Sequence, residues 1–164
     1  MRAVLTILAV LSVVFVASCG PKRYKYDGPE VTQIIVNKGD RKMYLMHGTE
    51  ILKAYRIKLG FAPEGRKKYE GDGKTPEGRY VIDRRNPKSA FYLSIGVSYP
   101  NRQDAEHARS VGRKPGGEIF IHGDRRPQDP KRDDWTAGCI SVKNHEIREI
   151  FTMVRLGTVI DINP

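Results

Sequence analysis

The stretch Val31-Thr32-Gln33-Ile34-Ile35-Val36-Asn37-Lys38-Gly39-Asp40-Arg41-Lys42-Met43-Tyr44-Leu45-Met46-His47-Gly48 sets the architecture. Its first half is dense in β-branched residues, which fit a pleated and half-buried surface. Lys38-Gly39-Asp40 then turns the chain, and a second apolar run, Met43–His47, closes at Gly48. A third run, Ile51–Leu59, follows at once. Three short runs split by turn residues predict an antiparallel meander.

The same rhythm continues downstream, predicting strands at Arg79–Arg84, Tyr92–Val97, Glu118–His122, Cys139–Val142 and Thr158–Ile162. One helix stands out: Ile147, Ile150, Phe151 and Val154 fall at i, i+3, i+4 and i+7, a single apolar stripe. Asn144 is its expected N-cap, Glu146 suits the positive first turn, and Gly157 ends the segment. A shorter helix is expected over Gln103–Ser110. Many strands with one clear helix in the C-terminal half define a mainly β domain, a β-rich α+β fold. Its mixed sheets either pack as a sandwich or curl towards an open barrel. Two long polar segments, Gly60–Gly78 and Gly123–Thr136, interrupt the pattern, and loops of that length are usually functional or disordered.

Met1-Arg2, the apolar run Ala3–Ala17 and then Ser18-Cys19 form a different kind of segment. The run is shorter than the roughly 20 residues that span a bilayer. A basic start, a short apolar core and small residues before a cut describe a secretory signal. A cysteine directly after those small residues resembles the bacterial lipoprotein box. The expected organisation is a signal peptide over 1–18, a lipid on Cys19, a tether over 19–30 and one catalytic-sized domain over 31–164. An ordinary signal peptide cut nearby is the alternative. Gly20 rather than Asp after the cysteine is similar to Gram-negative lipoproteins held at the periplasmic face of the outer membrane.

The 164 residues carry 29 basic and 19 acidic side chains, a net charge of +10. In an exported protein such a surplus points to anionic envelope polymers rather than nucleic acid. The alternative is that the charge serves solubility alone.

Lipidation of Cys19 would leave Cys139 as the only other cysteine. A lone thiol in an oxidising compartment pairs with another chain or does chemistry. Cys139 lies in Trp135-Thr136-Ala137-Gly138-Cys139-Ile140-Ser141-Val142, where a tight turn opens into a strand. His122 ends the apolar run Glu118-Ile119-Phe120-Ile121-His122, a rigid place from which to present an imidazole. A cysteine nucleophile needs a base to take its proton, and the imidazolium so formed can protonate a leaving amine. Backbone N–H groups at the Gly138-Cys139 turn suit a developing oxyanion, and glycine lets backbone approach substrate. No carboxylate suggests itself to orient the ring; the Gly123 carbonyl is the candidate. From spacing alone a second reading stays open, with Cys139 a small buried apolar residue and His122 a satisfied core histidine. Zinc needs more ligands than this pair supplies, and no CxxC or HxxxH completes them; no metal or cofactor is expected. His47, His107 and His145 sit in polar or turn contexts.

His122-Gly123, a polar loop and then Thr136-Ala137-Gly138-Cys139-Ile140 resembles the YkuD-type L,D-transpeptidase catalytic domain. Gly71-Asp72-Gly73-Lys74-Thr75-Pro76-Glu77-Gly78 precedes them in the same order. Asn86-Pro87-Lys88-Ser89 and Ser98-Tyr99-Pro100-Asn101 fit its murein-peptide branch. The resemblance implies attack by Cys139 on a diaminopimelate carbonyl of a peptidoglycan stem peptide, loss of D-alanine and a thioester resolved by an amine or by water. It implies that His122 is base and acid and that Gly138 belongs to the oxyanion turn. Gly123, Thr136, Trp135 and Arg125 are then expected to border the substrate; Arg126 and Arg132 could also meet stem-peptide carboxylates. Ala137 stands where the family has His, and Ser141 where it has Arg. These departures leave the acceptor open: an amine of the wall or of a wall-linked protein, or water in a carboxypeptidase or amidase. A non-catalytic wall-binding lipoprotein is the contrasting class. A monomer is expected, with a disulfide-linked dimer through Cys139 as the alternative.

Overall fold

The computed structural model describes residues 25–164. The expected signal segment 1–18, the lipidation candidate Cys19 and the first part of the tether lie outside the described residues. The elements in chain order are β1 (Gln33–Asn37), β2 (Lys42–His47), β3 (Glu50–Arg56), β4 (Gly78–Ser89), β5 (Tyr92–Val97), α1 (Arg102–Ser110), β6 (Phe120–His122), β7 (Ile140–Ser141), α2 (Asn144–Met153) and β8 (Val159–Asn163).

β1, β2 and β3 form the expected meander, antiparallel throughout. Ile34 faces Leu45 across the ladder and Val36 faces Met43. All four are fully buried, the inner half of a period-two alternation. β8 returns parallel to β1 and antiparallel to β4. β4 is long because it serves two neighbours: Gly78–Val81 lies along β8, and from Ile82 onward it pairs with β5. A register shift at Ile82/Arg84 accompanies the change of partner, as expected where a bulge bends a strand. β5 continues antiparallel to β6, and β6 runs parallel to β7.

The resulting order is β3-β2-β1-β8-β4-β5-β6-β7. The two ends then meet. Lys58 and Ser141 exchange both backbone hydrogen bonds at 2.8 Å, Thr136 N–H donates to the Leu59 carbonyl at 3.1 Å, and Phe61 N–H donates to Thr136 at 2.9 Å. Of the two forms expected for the sheets, the structure takes the curled one. Closure runs directly through the segment that carries Cys139.

Both helices are capped by side chains. In α1, Asn101 accepts from Asp104 N–H and Asp104 accepts from Asn101 N–H, a reciprocal capping box. α2 starts one residue earlier than expected, with Lys143 as its N-cap and Glu146 reaching back to the Lys143 N–H at 2.8 Å. Asn144 is drawn into the helix because both its backbone N–H and its side-chain oxygen bind Asp124. The helix closes at Met153, before Gly157. Its Ile147, Ile150 and Met153 are buried, and the helix lies over β5 and β6, the part of the sheet that presents the histidine.

Candidate active site

β6 and β7 bring the two candidate catalytic residues together by register. Ile121 pairs with Ile140, and His122 with Ser141. Paired residues on neighbouring strands share a face, and successive side chains alternate. Ile121 and Ile140 therefore point into the core, where both are fully buried. His122 and Ser141 share the opposite face, and the alternation carried one residue past the start of β7 puts Cys139 on that face as well. Half-buried Cys139 thus lies diagonally across the strand pair from the imidazole.

The histidine is held on every side. Its Nδ1 lies 2.8 Å from the Gly123 carbonyl. A carbonyl only accepts, so Nδ1 carries the proton and Nε2 is the basic nitrogen. The Phe91 ring stacks on it at 4.4 Å and 25°, and the Trp135 ring meets it edge-on at 5.5 Å. Arg126 lies over the Phe91 ring at 4.6 Å and is tied down by Asp129 at 2.9 Å. Burial pushes the His122 pKa down to about 4, against the opposing pull of the Gly123 carbonyl. The ring rests neutral at pH 7, as a general base must.

The thiol also rests neutral. Cys139 Sγ donates to the Glu118 carbonyl at 3.4 Å. Burial pushes its pKa up, and the Phe120 N–H offsets this only in part. Among the described residues no hydrogen bond joins the thiol to the imidazole. Glu118 itself has a backbone φ of +54°. A non-glycine residue rarely adopts this conformation, which costs on the order of 1–2 kcal/mol and here accompanies the contact of its carbonyl with the sulfur.

The turn before the cysteine departs from the sequence expectation in one respect. Gly138 N–H is buried and donates to Thr136 Oγ1 at 3.1 Å, while that hydroxyl donates to the Cys139 carbonyl at 2.7 Å. Gly138 thus shapes the turn without offering its own amide. The Cys139 N–H has no partner among the described residues and is the donor left for an oxyanion. Gly138 has φ of +134°, and a Cβ on it would come within 2.7 Å of the Lys74 carbonyl; only glycine fits both demands.

That carbonyl belongs to the 60–78 segment, whose role was unreadable from its length alone. Asp72, almost wholly buried, accepts from Lys67 Nζ at 2.8 Å and from the N–H groups of Lys68, Tyr69 and Lys74. Burial alone would raise its pKa; these donors together hold it below the usual carboxylate range. A second buried lysine, Lys38, reaches from the β1–β2 turn to Glu77 and to the carbonyls of Gly65 and Thr75. Thr75 Oγ1 accepts from Gly60 N–H at 3.1 Å. The segment is a stapled wedge behind the cysteine turn.

The residues expected to border substrate separate into two groups. Gly123 is interior: its carbonyl serves His122 and Ser141, and a Cβ there would meet Asn144 and Phe91. Thr136 is 4% exposed and braces the turn. Neither offers surface to a ligand. Trp135 and Arg125 do line a cleft, of about 680 Å³, shared with Lys58, Ser141 and Lys143. Neither the thiol nor the imidazole lines it; Trp135 stands between the cleft and His122. Phe91, Lys67, Asp72 and the Glu118 carbonyl were not singled out by sequence reasoning. Among the described residues no group of three or more metal-ligating side chains forms.

The fold and this arrangement define a class: a curled β-sheet protein presenting a thiol and a neutral histidine on one face of a strand pair. Residues 31–162 match the L,D-transpeptidase catalytic domain, YkuD, and the chain belongs to that family. Escherichia coli (strain K12) YafK is similar, 29% identical over 172 residues that take in 94% of this chain and 64% of that protein. The crystal structure of the helical cell shape determining protein Pgp2 from Campylobacter jejuni superposes with a TM-score of 0.61 at 25% identity. That match covers 82% of this chain and 51% of Pgp2. An L,D-transpeptidase from Mycobacterium smegmatis shares the fold, with a TM-score of 0.54 at 12% identity over 82% of this chain and 59% of that one. The chain therefore spans between about half and two thirds of the length of these relatives.

Proposed function

We propose that this protein is a cysteine acyltransferase of peptidoglycan stem peptides, working through a thioester on Cys139. The observation that supports the reading is the β6–β7 register, which pairs the fixed His122 with Ser141, two residues after Cys139. An incoming peptide carbonyl takes the thiol out of its contact with Glu118, and Nε2 of neutral His122 accepts the thiol proton as sulfur attacks. The Cys139 N–H donates to the oxyanion. On collapse the carbon–nitrogen bond breaks, the imidazolium protonates the leaving amine, and the thioester remains. A second nucleophile, amine or water, gives its proton to the same nitrogen and displaces the sulfur, which leaves as a thiolate and takes that proton back from the imidazolium.

The likeness to a cell-shape-determining protein supports a role in remodelling the wall. The sequence before residue 25 supports export and a lipid on Cys19, with the domain at the periplasmic face of the outer membrane. A carbapenem incubated with the protein is expected to add its mass to the wild type and not to Cys139→Ala. Murein digested by the soluble domain then reports the acceptor: new cross-links, shortened stems and freed wall-linked protein are distinct products. A wild type that takes no adduct and alters no murein is not an enzyme of this kind. Loss of detergent-phase partitioning in Cys19→Ala tests the anchor.

A further inference from the structure

Two backbone groups meet at the sulfur of Cys139. The Glu118 carbonyl accepts from the thiol at 3.4 Å, and the Phe120 N–H faces the same sulfur. They differ in how firmly they are placed. Phe120 belongs to β6 and is registered against Gly96 of β5. The Ile119 carbonyl is also fixed, accepting from Val97 N–H at 2.9 Å. Glu118 stands just outside that ladder, with Gly116-Gly117 before it. Its φ of +54° is a conformation that glycine adopts readily and other residues do not. Something must hold it there.

The Glu118 side chain supplies the hold. Its carboxylate accepts from Arg84 Nη1 at 2.8 Å, and the Arg84 guanidinium lies over the Phe120 ring at 4.8 Å. The pair thus fastens the turn at Glu118 to the residue whose N–H faces the sulfur. The tie is a modest one, because the Glu118 side chain is 76% exposed and exposed ion pairs are weak. A weak tie set against an unfavourable backbone angle is nearly balanced, which suits a contact that gives way when a substrate carbonyl arrives. The other charged or titratable groups facing the sulfur are Lys67 of the 60–78 segment, itself paired with Asp72, and neutral His122 of β6.

We propose that Glu118 is a positioning residue for the nucleophile: tied to Arg84, it holds its own carbonyl on the Cys139 thiol and keeps the sulfur protonated until substrate displaces that carbonyl. The release by substrate rests on the acyl-transfer reading above; the hold on the thiol does not.

Three substitutions at this exposed position remove the same charge, so they shift the thiol alike through electrostatics and differ only in what they do to the turn. Glu118→Gln keeps an amide oxygen for Arg84. Glu118→Gly loses the tie but has no penalty at positive φ. Glu118→Ala loses the tie and keeps the penalty, so its turn relaxes and the carbonyl leaves the sulfur. Alkylation by iodoacetamide, followed by intact mass across the thiol titration, reads the result. In Glu118→Ala the thiol should titrate lower and react at neutral pH about three- to tenfold faster than in the other two, the fold-change that one hydrogen bond to the neutral form is worth. Equal rates in all three, or alanine slower than glycine, overturns the hold. Alanine-like rates in Glu118→Gln overturn the tie to Arg84. A purely structural role for residue 118 would move the thermal midpoint and leave the three rates alike.

Carbapenem acylation of the same proteins tests the release. Glu118→Ala should acylate faster than Glu118→Gly at subsaturating carbapenem, because no contact has to be broken first; acylation no faster than in Glu118→Gly overturns the release. The expected alkylation order without any carbapenem adduct, in wild type or variants, would refute the enzyme reading and the release with it, leaving the hold standing. Adducts in every protein with alkylation equal in all three variants would overturn the hold and leave the enzyme reading intact.

Discussion

The Ser141 hydroxyl and the His122 ring donate to the same oxygen, the carbonyl of Gly123, at 2.9 and 2.8 Å. That carbonyl performs the orienting task that a carboxylate performs in many catalytic histidine sites. Being uncharged, it fixes the tautomer and raises the basicity of the ring less than an anion would. Ser141→Ala removes one of two donors and leaves the ring held by the other. Stability is expected to fall by about 1 kcal/mol, the usual net worth of one such bond, with carbapenem acylation changed only a few-fold. An acylation loss of roughly a hundredfold or more, the scale of a missing proton-transfer group, would show that the hydroxyl itself takes part in the chemistry.

The resting thiol is bonded to Glu118 and not to the imidazole, and burial raises its pKa. Alkylation of Cys139 by iodoacetamide should therefore accelerate only above the ordinary thiol range, about 8.5, with no acidic limb from a preformed ion pair. His122→Ala is expected to leave that profile nearly unmoved while abolishing acylation by substrate. A thiolate limb near neutrality that disappears in His122→Ala would mean that the pair is ionised before substrate arrives.

Much of the architecture was legible because alternation and turn residues act locally. Tyr92–Val97 forms as read, and the meander strands agree to within a residue or two at their starts. The tail of the third run was not legible: after Arg56 the chain leaves β2, and Lys58 pairs instead with Ser141. Apolar alternation looks the same whichever strand receives it. The strand expected over Arg79–Arg84 runs on as β4 through Asn86-Pro87 to Ser89, because the proline falls within a register shift where no ladder donor is required. At the site, Cys139 and His122 announce themselves by residue type and motif. The Glu118 and Lys74 carbonyls cannot, since backbone oxygens carry no side-chain signature, and Phe91 reaches His122 only through the long-range pairing of β5 with β6.

Acid stability isolates the histidine. His122 has its pKa lowered from 6.5 to about 4 in the folded protein. Between those values the unfolded chain binds a proton that the native one refuses, so stability is full above about 6.5 and declines as pH falls towards 4. The loss amounts to roughly 3 kcal/mol. Carboxylates with depressed pKa, such as Asp72 and Asp161, act in a lower window, losing their contribution below about 4. Urea denaturation from pH 7 to pH 4 should show this slope in the wild type and lack it in His122→Leu. A wild-type curve flat across that range would place a charged or solvated ring at 122.

Gly138→Ala tests the wedge behind the nucleophile. The added Cβ lies 2.7 Å from the Lys74 carbonyl, and the backbone keeps a φ of +134°. A side chain there strains the backbone by about 1–3 kcal/mol and pushes the cysteine turn off the 60–78 segment. Both stability and acylation should fall, whereas alkylation by small iodoacetamide, which needs no oxyanion donor, should persist. Equal loss of both reactions would mean a collapsed turn rather than a displaced amide.

Asp72→Ala probes the same wedge from beneath. It strips the acceptor from Lys67 and from three backbone N–H groups, leaving a cation that is 4% exposed without its anion. Removing one partner of a buried pair costs about 3–5 kcal/mol, far more than an exposed pair such as Arg102–Glu106, where about 1 kcal/mol or less is at stake. Denaturant midpoints of Asp72→Ala and Glu106→Ala measure the contrast. Adding Lys67→Met to Asp72→Ala should recover part of the loss, because the orphaned charge leaves with it; a double variant weaker than the single would show that Lys67 stabilises the segment by packing and not by charge.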